Sequence, residues 1–457
     1  MLHGGVPLNW SFDPLEALSL WPRDRKAVLL HSGRFHPRWA RWSILAEPAG
    51  TYRFAADGHS AWIGAPLPGL STSFRHKPFA DLRQVVLGGD ELWIGYLSYD
   101  LGRWIENLPS RAIDDRAWPL IDLARCPGYL VYDGRHGRWE AFGTWRHDAC
   151  PRLDLAEPRT AAFHATAPKS IISRSDYEAS VAAALEYIAA GDVFQVNLAQ
   201  RFTADFDGSD PRACRALFSR LAGVSPAWYG AYLETADDPG TSSTGRVIAS
   251  TSPELFLHVG ASGHVTSRPI KGTRPASIDP EVLCRSEKDT AELNMIVDLV
   301  RNDLGRVCDY GSVTVDQQRV IESHPTVHHG VATISGQLHA SRDVVDLLRA
   351  AMPGGSVTGA PKIRAMQIID ELEAVRRGPY CGCIGFLSRR AACMNIAIRT
   401  IQIEPDSHRL DYSVGGGIVA DSDPAAEYQE TIDKAVAMVN TLRSEVAAAA
   451  TIQAATR

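Results

Sequence analysis

The sequence has no long apolar run, no excess of basic charge and no export signal. Nowhere in its 457 residues is there a stretch of about 18 apolar residues, the length that a membrane-spanning helix requires. Lysine and arginine total 47 against 53 acidic residues, and a net charge of -6 is unlike the basic balance of nucleic-acid-binding proteins. The segment Met1–Pro7 lacks a basic region followed by an apolar core, so we expect no secretory signal. Neither a membrane nor a nucleic acid is an expected partner.

Cysteine usage and composition indicate the broad class of the protein. Eight cysteines are scattered along the chain, and the Cys381–Cys383 pair has no matching second half for a metal site. Without an export signal, we expect reduced thiols and a cytoplasmic location. A hydrophobic content of 45% and a charged content of 22% are typical of a globular protein. The length admits one large domain or roughly two to three average ones.

Local patterns predict both strands and helices. Apolar runs bounded by turn residues predict strands at 27–30, 92–96, 129–132 and 193–198. Ser175 and Glu178 have the spacing of a capping box and predict a helix that stops at Gly191. Helical patterns also cover 286–304 and the segment after Asp423 and Pro424. The proline- and alanine-rich segment 151–168 is expected to be a linker.

The segment Arg268–Pro275 carries the first candidate catalytic residue. Two prolines and Gly272 make it a rigid turn or a strand edge that holds Lys271. A lysine held in this way acts as a nucleophile if burial lowers its pKa, and a surface lysine is the alternative. Glu254 lies between a proline and an apolar run, where burial would raise its pKa and suit it to general-acid chemistry. An ion pair at a strand edge is the alternative for Glu254.

Two predicted helices each present a pair of carboxylates on one side. Asp289 and Glu292 lie three residues apart in the first helix. Glu427 and Glu430 have the same spacing in the second, and Lys434 follows Glu430 by four residues. Such pairs are able to bind Mg²⁺ through oxygen ligands, with solvated helix faces as the alternative.

Two glycine-rich turns and one arginine offer donors for an anion. The segment 354–359 is predicted to lead into the N-terminus of a helix, where free backbone N–H groups are available to an anion. The segment lacks the glycine and lysine spacing of a P-loop, so nucleotide binding is not indicated. The run Gly415–Gly417 follows a predicted strand and offers a second set of backbone N–H groups. Arg399 is a candidate for bidentate binding of a carboxylate. Plain turns and a surface arginine are the alternative.

Five motifs occur in an order that indicates a family. They are the lysine turn at 268–275, Ser252-Pro253-Glu254, Arg301-Asn302-Asp303, the segment Pro353–Lys362 and Glu427-Tyr428-Gln429-Glu430-Thr431. Together they resemble the chorismate-utilising enzymes, which include anthranilate synthase component I, aminodeoxychorismate synthase component I, and the isochorismate and salicylate synthases. The resemblance is dense from about 175 to 434 and thinner before it.

At position 271 the chain resembles the aminodeoxychorismate synthase branch of this family, which carries lysine there. The anthranilate enzymes carry alanine at the same position. The resemblance implies that chorismate and ammonia give 4-amino-4-deoxychorismate, toward 4-aminobenzoate and folate. It implies that Lys271 attacks C2 while Glu254 protonates the leaving C4 hydroxyl, after which ammonia adds at C4. The water-adding members carry a base lysine where this chain has Gln195, which argues against isochorismate and salicylate chemistry.

The resemblance also implies which residues bind the metal, the substrate and an amino acid. Mg²⁺ would be bound by Glu292, Glu427 and Glu430. The implied substrate-binding residues are Gly272, Thr273, His329, Thr358, Tyr380, Arg399, Gly415, Gly416, Gly417 and Lys434. His31 and Ser32 lie where relatives bind tryptophan, and a core strand ending in a polar turn is the alternative. His329 is expected just before a strand at 331–334.

The fold that the resemblance implies is α+β, an anthranilate synthase component I-like fold. Its antiparallel β-sheets pack face to face with helices on the outside. Residues 1–168 are expected to form an N-terminal region that contributes strands to the shared core, and residues 169–445 the chorismate-binding catalytic region. The Gly-x-Cys-x-Gly elbow of glutamine amidotransferases is absent, because Cys381 replaces its first glycine. Ammonia is therefore expected from a separate glutamine amidotransferase subunit, component II.

Two other functions remain as alternatives. Anthranilate synthase component I is disfavoured by Lys271 and by Leu29-Leu30-His31-Ser32, which departs from the Leu-Leu-Glu-Ser form of that enzyme. A non-catalytic protein that binds tryptophan as a sensor is disfavoured by the presence of Lys271, Glu254 and the carboxylates.

Overall fold

The computed structural model describes residues 4–64, 74–155, 161–237 and 245–443. Within these ranges the strands, in chain order, are β1 (Val6–Leu8), β2 (Val28–His31), β3 (Trp42–Ala46), β4 (Gly50–Phe54), β5 (Ser60–Gly64), β6 (Leu92–Leu97), β7 (Ile121–Cys126), β8 (Gly128–Asp133), β9 (Arg138–Gly143), β10 (Lys169–Ser170), β11 (Gln195–Asp205), β12 (Tyr229–Glu234), β13 (Val247–Ser252), β14 (Leu255–Val259), β15 (His264–Arg268), β16 (Ile270–Pro275), β17 (Thr314–Ser323), β18 (Val327–Gln337), β19 (Gly359–Ala360), β20 (Cys383–Leu387), β21 (Ala392–Ile396), β22 (Thr400–Glu404) and β23 (Arg409–Ile418). The α-helices are α1 (Pro14–Ser19), α2 (Pro78–Leu87), α3 (Arg174–Ala189), α4 (Pro211–Val224), α5 (Pro280–Cys284), α6 (Glu287–Gly305), α7 (Val344–Ala351), α8 (Lys362–Leu372) and α9 (Pro424–Leu442).

These strands form two antiparallel sheets. The first has 12 strands in the order β1-β9-β8-β3-β2-β12-β13-β22-β23-β11-β10, with β19 paired to β11. The second has 11 strands in the order β16-β18-β15-β14-β21-β20-β6-β7-β4-β5, with β17 paired to β18. Every ladder between these strands is antiparallel.

The N-terminal region contributes strands to both sheets, as the sequence analysis expected. In the first sheet β2 pairs with β12, where Leu29 lies opposite Tyr232. In the second sheet β6 pairs with β20, where Tyr96 lies opposite Ile384. The strands predicted at 27–30, 92–96 and 129–132 are confirmed as β2, β6 and β8.

The two sheets pack face to face through a shared apolar layer. Val28 and Ile44 of the first sheet lie in one buried cluster with Ile94 and Ala124 of the second. Helices α1, α4 and α9 cover the outer side of the first sheet, and α6 and α7 pack against the second. The α+β fold with antiparallel sheets and outer helices is therefore confirmed. No helix within the described ranges is long and apolar enough to cross a membrane.

The start of α3 differs from the predicted capping box. The N-cap is Ser173, whose Oγ accepts a hydrogen bond from the N–H of Asp176 at 3.1 Å. The Asp176 carboxylate accepts in return from the N–H of Ser173 at 3.2 Å. Ser175 therefore lies in the first turn, because Asp176 occupies the position that closes the box. The strand predicted at 193–198 begins at Gln195 and continues to Asp205.

The glycine-rich segment 354–359 does not open a helix directly, so that prediction is wrong. Its residues instead form a 3-10 turn at 355–357 and enter the short strand β19, and α8 begins only at Lys362, after the N-cap Pro361. Gly359 is instead paired with Val196 of β11. Its φ is +150°, and a Cβ at this position would lie 2.1 Å from the carbonyl oxygen of Gln195. The close approach of two backbones requires this glycine.

Two further boundaries differ. β18 begins at Val327, so His328 and His329 lie inside the strand rather than before it. The expected linker at 151–168 is partly outside the described residues, and its far end lies against β11, where the N–H of Thr166 donates to the carbonyl of Asp205 at 3.0 Å. The expected end of the catalytic region at 445 also lies outside the described residues.

Candidate active site

Lys271 lies on the edge strand β16, as the proline-flanked segment predicted. β16 pairs with β18, and the register shifts between Ile270 and Thr273, which places Lys271 and Gly272 at the irregularity. Gly272 has a φ of +80°, and a Cβ there would lie 2.8 Å from Leu283 Cδ1. Both the backbone conformation and the close approach require glycine. The positive φ expected of Gly272 is observed, and its contact with substrate stays a prediction.

The Lys271 amine lies among carboxylates, an amide and a backbone glycine. Its Nζ is 4.0 Å from Glu292 Oε2. The amine also lies close to Gly417, because a Cβ added to that glycine would be 3.1 Å from Lys271 Nζ. The same hypothetical Cβ would lie 2.6 Å from Gln195 Nε2, so the amine and the amide both lie next to Gly417. Burial lowers the pKa of Lys271; Glu292 raises it and the Lys434 ammonium lowers it further.

Glu254 lies between β13 and β14 and is buried. The Ser356 hydroxyl donates to its Oε1 at 2.6 Å. Burial raises the pKa of Glu254 to about 7, while Ser356 and the Lys271 ammonium oppose that rise. A carboxyl group with a pKa near neutrality is protonated in a large fraction of molecules, which is the form that a general acid needs.

Glu292 of α6 and Glu430 of α9 both act electrostatically on the Lys271 amine, and Glu427 lies near Glu430. If Gly416 carried a Cβ, that atom would lie 3.1 Å from Glu427 Oε2 and 3.6 Å from Glu430 Oε1. Burial raises the pKa of Glu292 and Glu427, and Glu430 raises both further. The Glu430 side chain is half exposed, and the Lys434 ammonium 2.6 Å away lowers its pKa overall.

These carboxylates have the charge and the free oxygen that a cation site requires. Glu427 Oε1 accepts from the Ser422 hydroxyl at 2.6 Å, whereas the buried Oε2 has no hydrogen-bond partner in the described part of the chain. Asp289 forms an ion pair with Arg274 at 2.8 Å. No three acidic, histidine or cysteine side chains among the described residues are already arranged as a metal centre.

The remaining predicted substrate residues surround this centre in two groups. Lys434 Nζ donates to the carbonyl of Gly415 at 3.0 Å, which connects α9 to the glycine cradle. His329 is buried on β18, and its Nδ1 lies 2.9 Å from Thr273 Oγ1. Burial, followed by the charge of Arg399, lowers the pKa of His329 well below its usual range. The imidazole is therefore neutral near pH 7.

Arg399 is half-buried, and its guanidinium has no acidic partner among the described residues. Its Nη1 donates to Ser225 Oγ at 3.5 Å. Desolvation lowers the pKa of Arg399 to about 10. A cation without an acidic partner is suited to a substrate carboxylate. Tyr380 and Thr358 are buried, and Thr358 Oγ1 donates to the carbonyl of Gly354 at 3.0 Å.

The two residues predicted for tryptophan binding lie elsewhere, at the end of β2. His31 is buried with its ring edge against Phe218, and burial lowers its pKa to about 4. Its Nδ1 has no hydrogen-bond partner within the described residues. The Ser32 hydroxyl donates to the carbonyl of Trp42 at 2.8 Å. Tryptophan binding by this pair stays a prediction.

The sequence analysis did not identify Ser356 or Ser422, although each donates to a carboxylate of the site. Ser356 is 102 residues from Glu254, so no local spacing indicates the contact. Ser422 lies within five residues of Glu427, and its place just before the Asp423 N-cap was the available signal.

Comparison with known proteins finds relatives over most of the chain. The family model of chorismate-binding enzymes matches residues 27–440. Aminodeoxychorismate synthase component 1 of Klebsiella aerogenes is 40% identical over 446 residues, which cover 92% of this chain and 94% of that protein. Anthranilate synthase component 1 1 of Haloarcula marismortui is 37% identical over 385 residues, 76% of this chain and 75% of that protein.

Solved structures show the same architecture. The crystal structure of anthranilate synthase component I from Streptococcus pneumoniae TIGR4 matches with a TM-score of 0.72 and 28% sequence identity, covering 96% of this chain and 100% of that chain. The family model covers most of the sequence, and relatives at 40% identity extend over nearly the whole length of both chains. The chain therefore belongs to the family of chorismate-binding enzymes.

Proposed function

We propose that this chain catalyses the reaction of aminodeoxychorismate synthase component I. In this reaction chorismate and ammonia give 4-amino-4-deoxychorismate, toward 4-aminobenzoate and folate. The observation that carries the proposal is the buried Lys271 amine, 4.0 Å from Glu292 and beside the Gln195 amide. The similarity to the Klebsiella aerogenes enzyme over nearly the full length supports the same choice.

Lys271 and Glu254 supply the two groups that a two-step displacement needs. The neutral Lys271 amine forms a bond to C2 of chorismate, both ring double bonds shift towards C4, and the C4 hydroxyl leaves as water with a proton from Glu254. Ammonia then adds at C4, both double bonds shift back, and the bond from C2 to Lys271 breaks. The proton released by the added ammonia returns to Glu254, so both residues are regenerated.

The burial of both groups prepares these protonation states. An unperturbed lysine has a pKa of about 10.4 and is less than about 0.1% neutral at pH 7. Burial lowers the pKa of Lys271 and raises the pKa of Glu254 to about 7. Each shift increases the fraction of the form that the chemistry uses.

The two carboxylates of chorismate require separate binding groups. We assign Arg399 and Tyr380 to one of them, because the half-buried Arg399 has no acidic partner among the described residues and Tyr380 is buried. The backbone of Gly415–Gly417 and Lys434 lie beside the carboxylate cluster and are assigned to the other end of the substrate. His329, held by Thr273, and Thr358 complete the walls of the site.

A Mg²⁺ ion is part of the proposal. Glu292, Glu427 and Glu430 would bind it, and the support is the unpartnered Oε2 of Glu427 together with the repulsion that Glu430 exerts on both Glu292 and Glu427. When bound, the ion would neutralise a substrate carboxylate and the negative charge that develops near it.

Ammonia would come from a glutamine amidotransferase subunit, component II. The support is that the relatives are named component 1 and that the sequence lacks a glutaminase elbow. We also propose a cytoplasmic location, because all eight cysteines are free thiols and five of them are buried.

A turnover assay tests the proposed function. The purified chain is incubated with chorismate, an ammonium salt and Mg²⁺, and the products are separated and identified by mass spectrometry. We expect 4-amino-4-deoxychorismate. Anthranilate as the main product would establish the anthranilate synthase alternative, and tryptophan binding without turnover would establish the sensor.

A further inference from the structure

The contact between Ser356 and Glu254 has a consequence for the proposed reaction and rests on that proposed function. The Ser356 hydroxyl donates to Glu254 Oε1 at 2.6 Å, and both side chains are buried. A carboxyl group that works as a general acid must present its proton from one particular oxygen. The hydrogen bond to Oε1 distinguishes the two oxygens of Glu254.

The segment that carries Ser356 is fixed at both ends by one ammonium group. Lys362 Nζ donates to Asp303 Oδ2 at 2.6 Å and to the carbonyl of Ala351 at 2.9 Å. Ala351 ends α7 and Lys362 begins α8, so the ammonium connects the two helices that flank the segment. Asp303 is on α6, the helix that also carries Glu292.

The middle of the same segment is fixed from the opposite side. Arg377 Nη1 donates to the carbonyl of Val357 at 2.8 Å, and Arg377 is itself paired with Glu373 at 2.6 Å. A Cβ at Gly355 would lie 3.2 Å from Leu299 Cβ, so the backbone also packs closely on α6. The position of the Ser356 hydroxyl is thus set by contacts on several sides.

We propose that Ser356 is a positioning residue for the general acid. Its hydroxyl donates a hydrogen bond to Glu254 Oε1 and thereby keeps the transferable proton on Oε2. The Lys362–Asp303 pair contributes by fixing the segment on which Ser356 lies. Ser356 acts through Glu254 and needs no contact with the substrate.

Several charged and titratable groups face Glu254 and would share in its pH dependence. Lys271 on β16 favours the ionised carboxylate. The Cys381 thiol, whose pKa burial raises to about 12, is neutral near pH 7. On the other side a cavity of about 20 Å³ is lined by Glu254, Ser356 and Asp303, and Asp303 is neutralised by Lys362. Ser356 is therefore the polar group whose removal most directly changes Glu254.

The test is the pH dependence of kcat for Ser356→Ala and Ser356→Thr. Glu254 must be protonated to act, so activity falls as pH rises through its pKa. The Ser356 hydroxyl stabilises the carboxylate, and removing it raises that pKa. In Ser356→Ala we expect the high-pH descending limb of the kcat–pH profile to move to higher pH by about one unit. We also expect kcat to fall about tenfold with KM unchanged. Ser356→Thr keeps a hydroxyl and should restore the wild-type limb.

Ser60→Ala is the matched control. The Ser60 hydroxyl donates to the buried Asp81 carboxylate at 2.6 Å, the same length and a similar environment in the N-terminal region. Its removal should lower thermal stability and leave the pH profile unchanged. A shift of the limb in Ser60→Ala equal to that in Ser356→Ala would overturn the proposal, because the effect would then be a general loss of stability.

Glu254→Gln separates this inference from the proposed function. Wild-type activity in Glu254→Gln would contradict the acid role itself. Loss of activity there, with an unmoved basic limb in Ser356→Ala, would overturn only the role of Ser356. Infrared difference spectra of wild type against Glu254→Gln require no Ser356 variant. They should show a hydrogen-bonded carboxylic C=O stretch, and a free carbonyl band would overturn the proposal.

Discussion

Lys271 Nζ on β16 lies 4.0 Å from Glu292 Oε2 on α6, although the two residues were singled out for different roles. The amine is the proposed nucleophile and the carboxylate is a proposed Mg²⁺ ligand. Glu292 raises the pKa of Lys271, whereas burial lowers it. A cation on Glu292 would weaken the effect of Glu292 on the Lys271 pKa, so the proposed metal site and the proposed nucleophile would be electrostatically coupled.

Lys271→Ala should remove the covalent route and reduce formation of 4-amino-4-deoxychorismate by more than about a hundredfold. The cavity left at C2 resembles that of the anthranilate enzymes and should allow traces of amination at C2. Lys271→Arg should be no better, because a guanidinium is not neutral near pH 7. The surface variant Lys169→Ala is the control and should retain full activity.

Intact-protein mass spectrometry with chorismate and no ammonia checks the same nucleophile directly. Wild type should carry an adduct with the mass of chorismate less one water, and Lys271→Ala should carry none. Unchanged turnover by Lys271→Ala together with an absent adduct on wild type would reduce Lys271 to an electrostatic contact.

Chelation of divalent cations should abolish activity, and Mg²⁺ should restore it. Glu430→Gln removes one of three charged ligands and should raise the Mg²⁺ concentration for half-maximal activity at least about tenfold. Calorimetric titration of the chain with Mg²⁺ should show the same loss of affinity. Glu287→Gln, an exposed position on α6, is the control. Full activity in chelator would remove the metal from the proposal.

The isolated chain should use ammonium salts but not glutamine as its nitrogen source. Addition of a component II glutamine amidotransferase should make turnover glutamine-dependent, because that subunit would release ammonia for the site. Product formation is measured with each nitrogen source in turn. Glutamine-dependent turnover by the purified chain alone would contradict the proposed partner.

Gly417→Ala should lower kcat at least about tenfold with little change in thermal stability. The new Cβ would lie 2.6 Å from Gln195 Nε2 and 3.1 Å from Lys271 Nζ, so these flexible side-chain ends must move away from their positions. Gly223→Ala is the control, because its Cβ would meet nothing within 4 Å in α4. Wild-type kcat in Gly417→Ala would show that the amine position is not critical.

Local sequence patterns predicted those strands and helix ends that interactions between neighbouring residues determine. Alternating apolar runs predicted β2, β6 and β8, and the Asp423–Pro424 start of α9 is confirmed because N-cap geometry depends on adjacent residues alone. The capping box at Ser175 was wrong because Ser173 offers the same chemistry two residues earlier. Helix spacing also placed Glu427 and Glu430 on one side of α9, and the family motifs indicated Lys271 and Glu254.

Only the tertiary structure decided which of these groups meet and how strongly each is buried. Glu292 and Glu430 are on separate helices, and no spacing within either helix brings them beside Lys271. The pKa directions of Lys271 and Glu254 follow from desolvation, which depends on packing by residues far away in sequence. The same holds for Ser356, which reaches Glu254 across 102 residues because Lys362 and Arg377 fix its segment. The sequence by itself determined the residue types and the elements that carry them, and the packing of both sheets with α6, α8 and α9 determined the site.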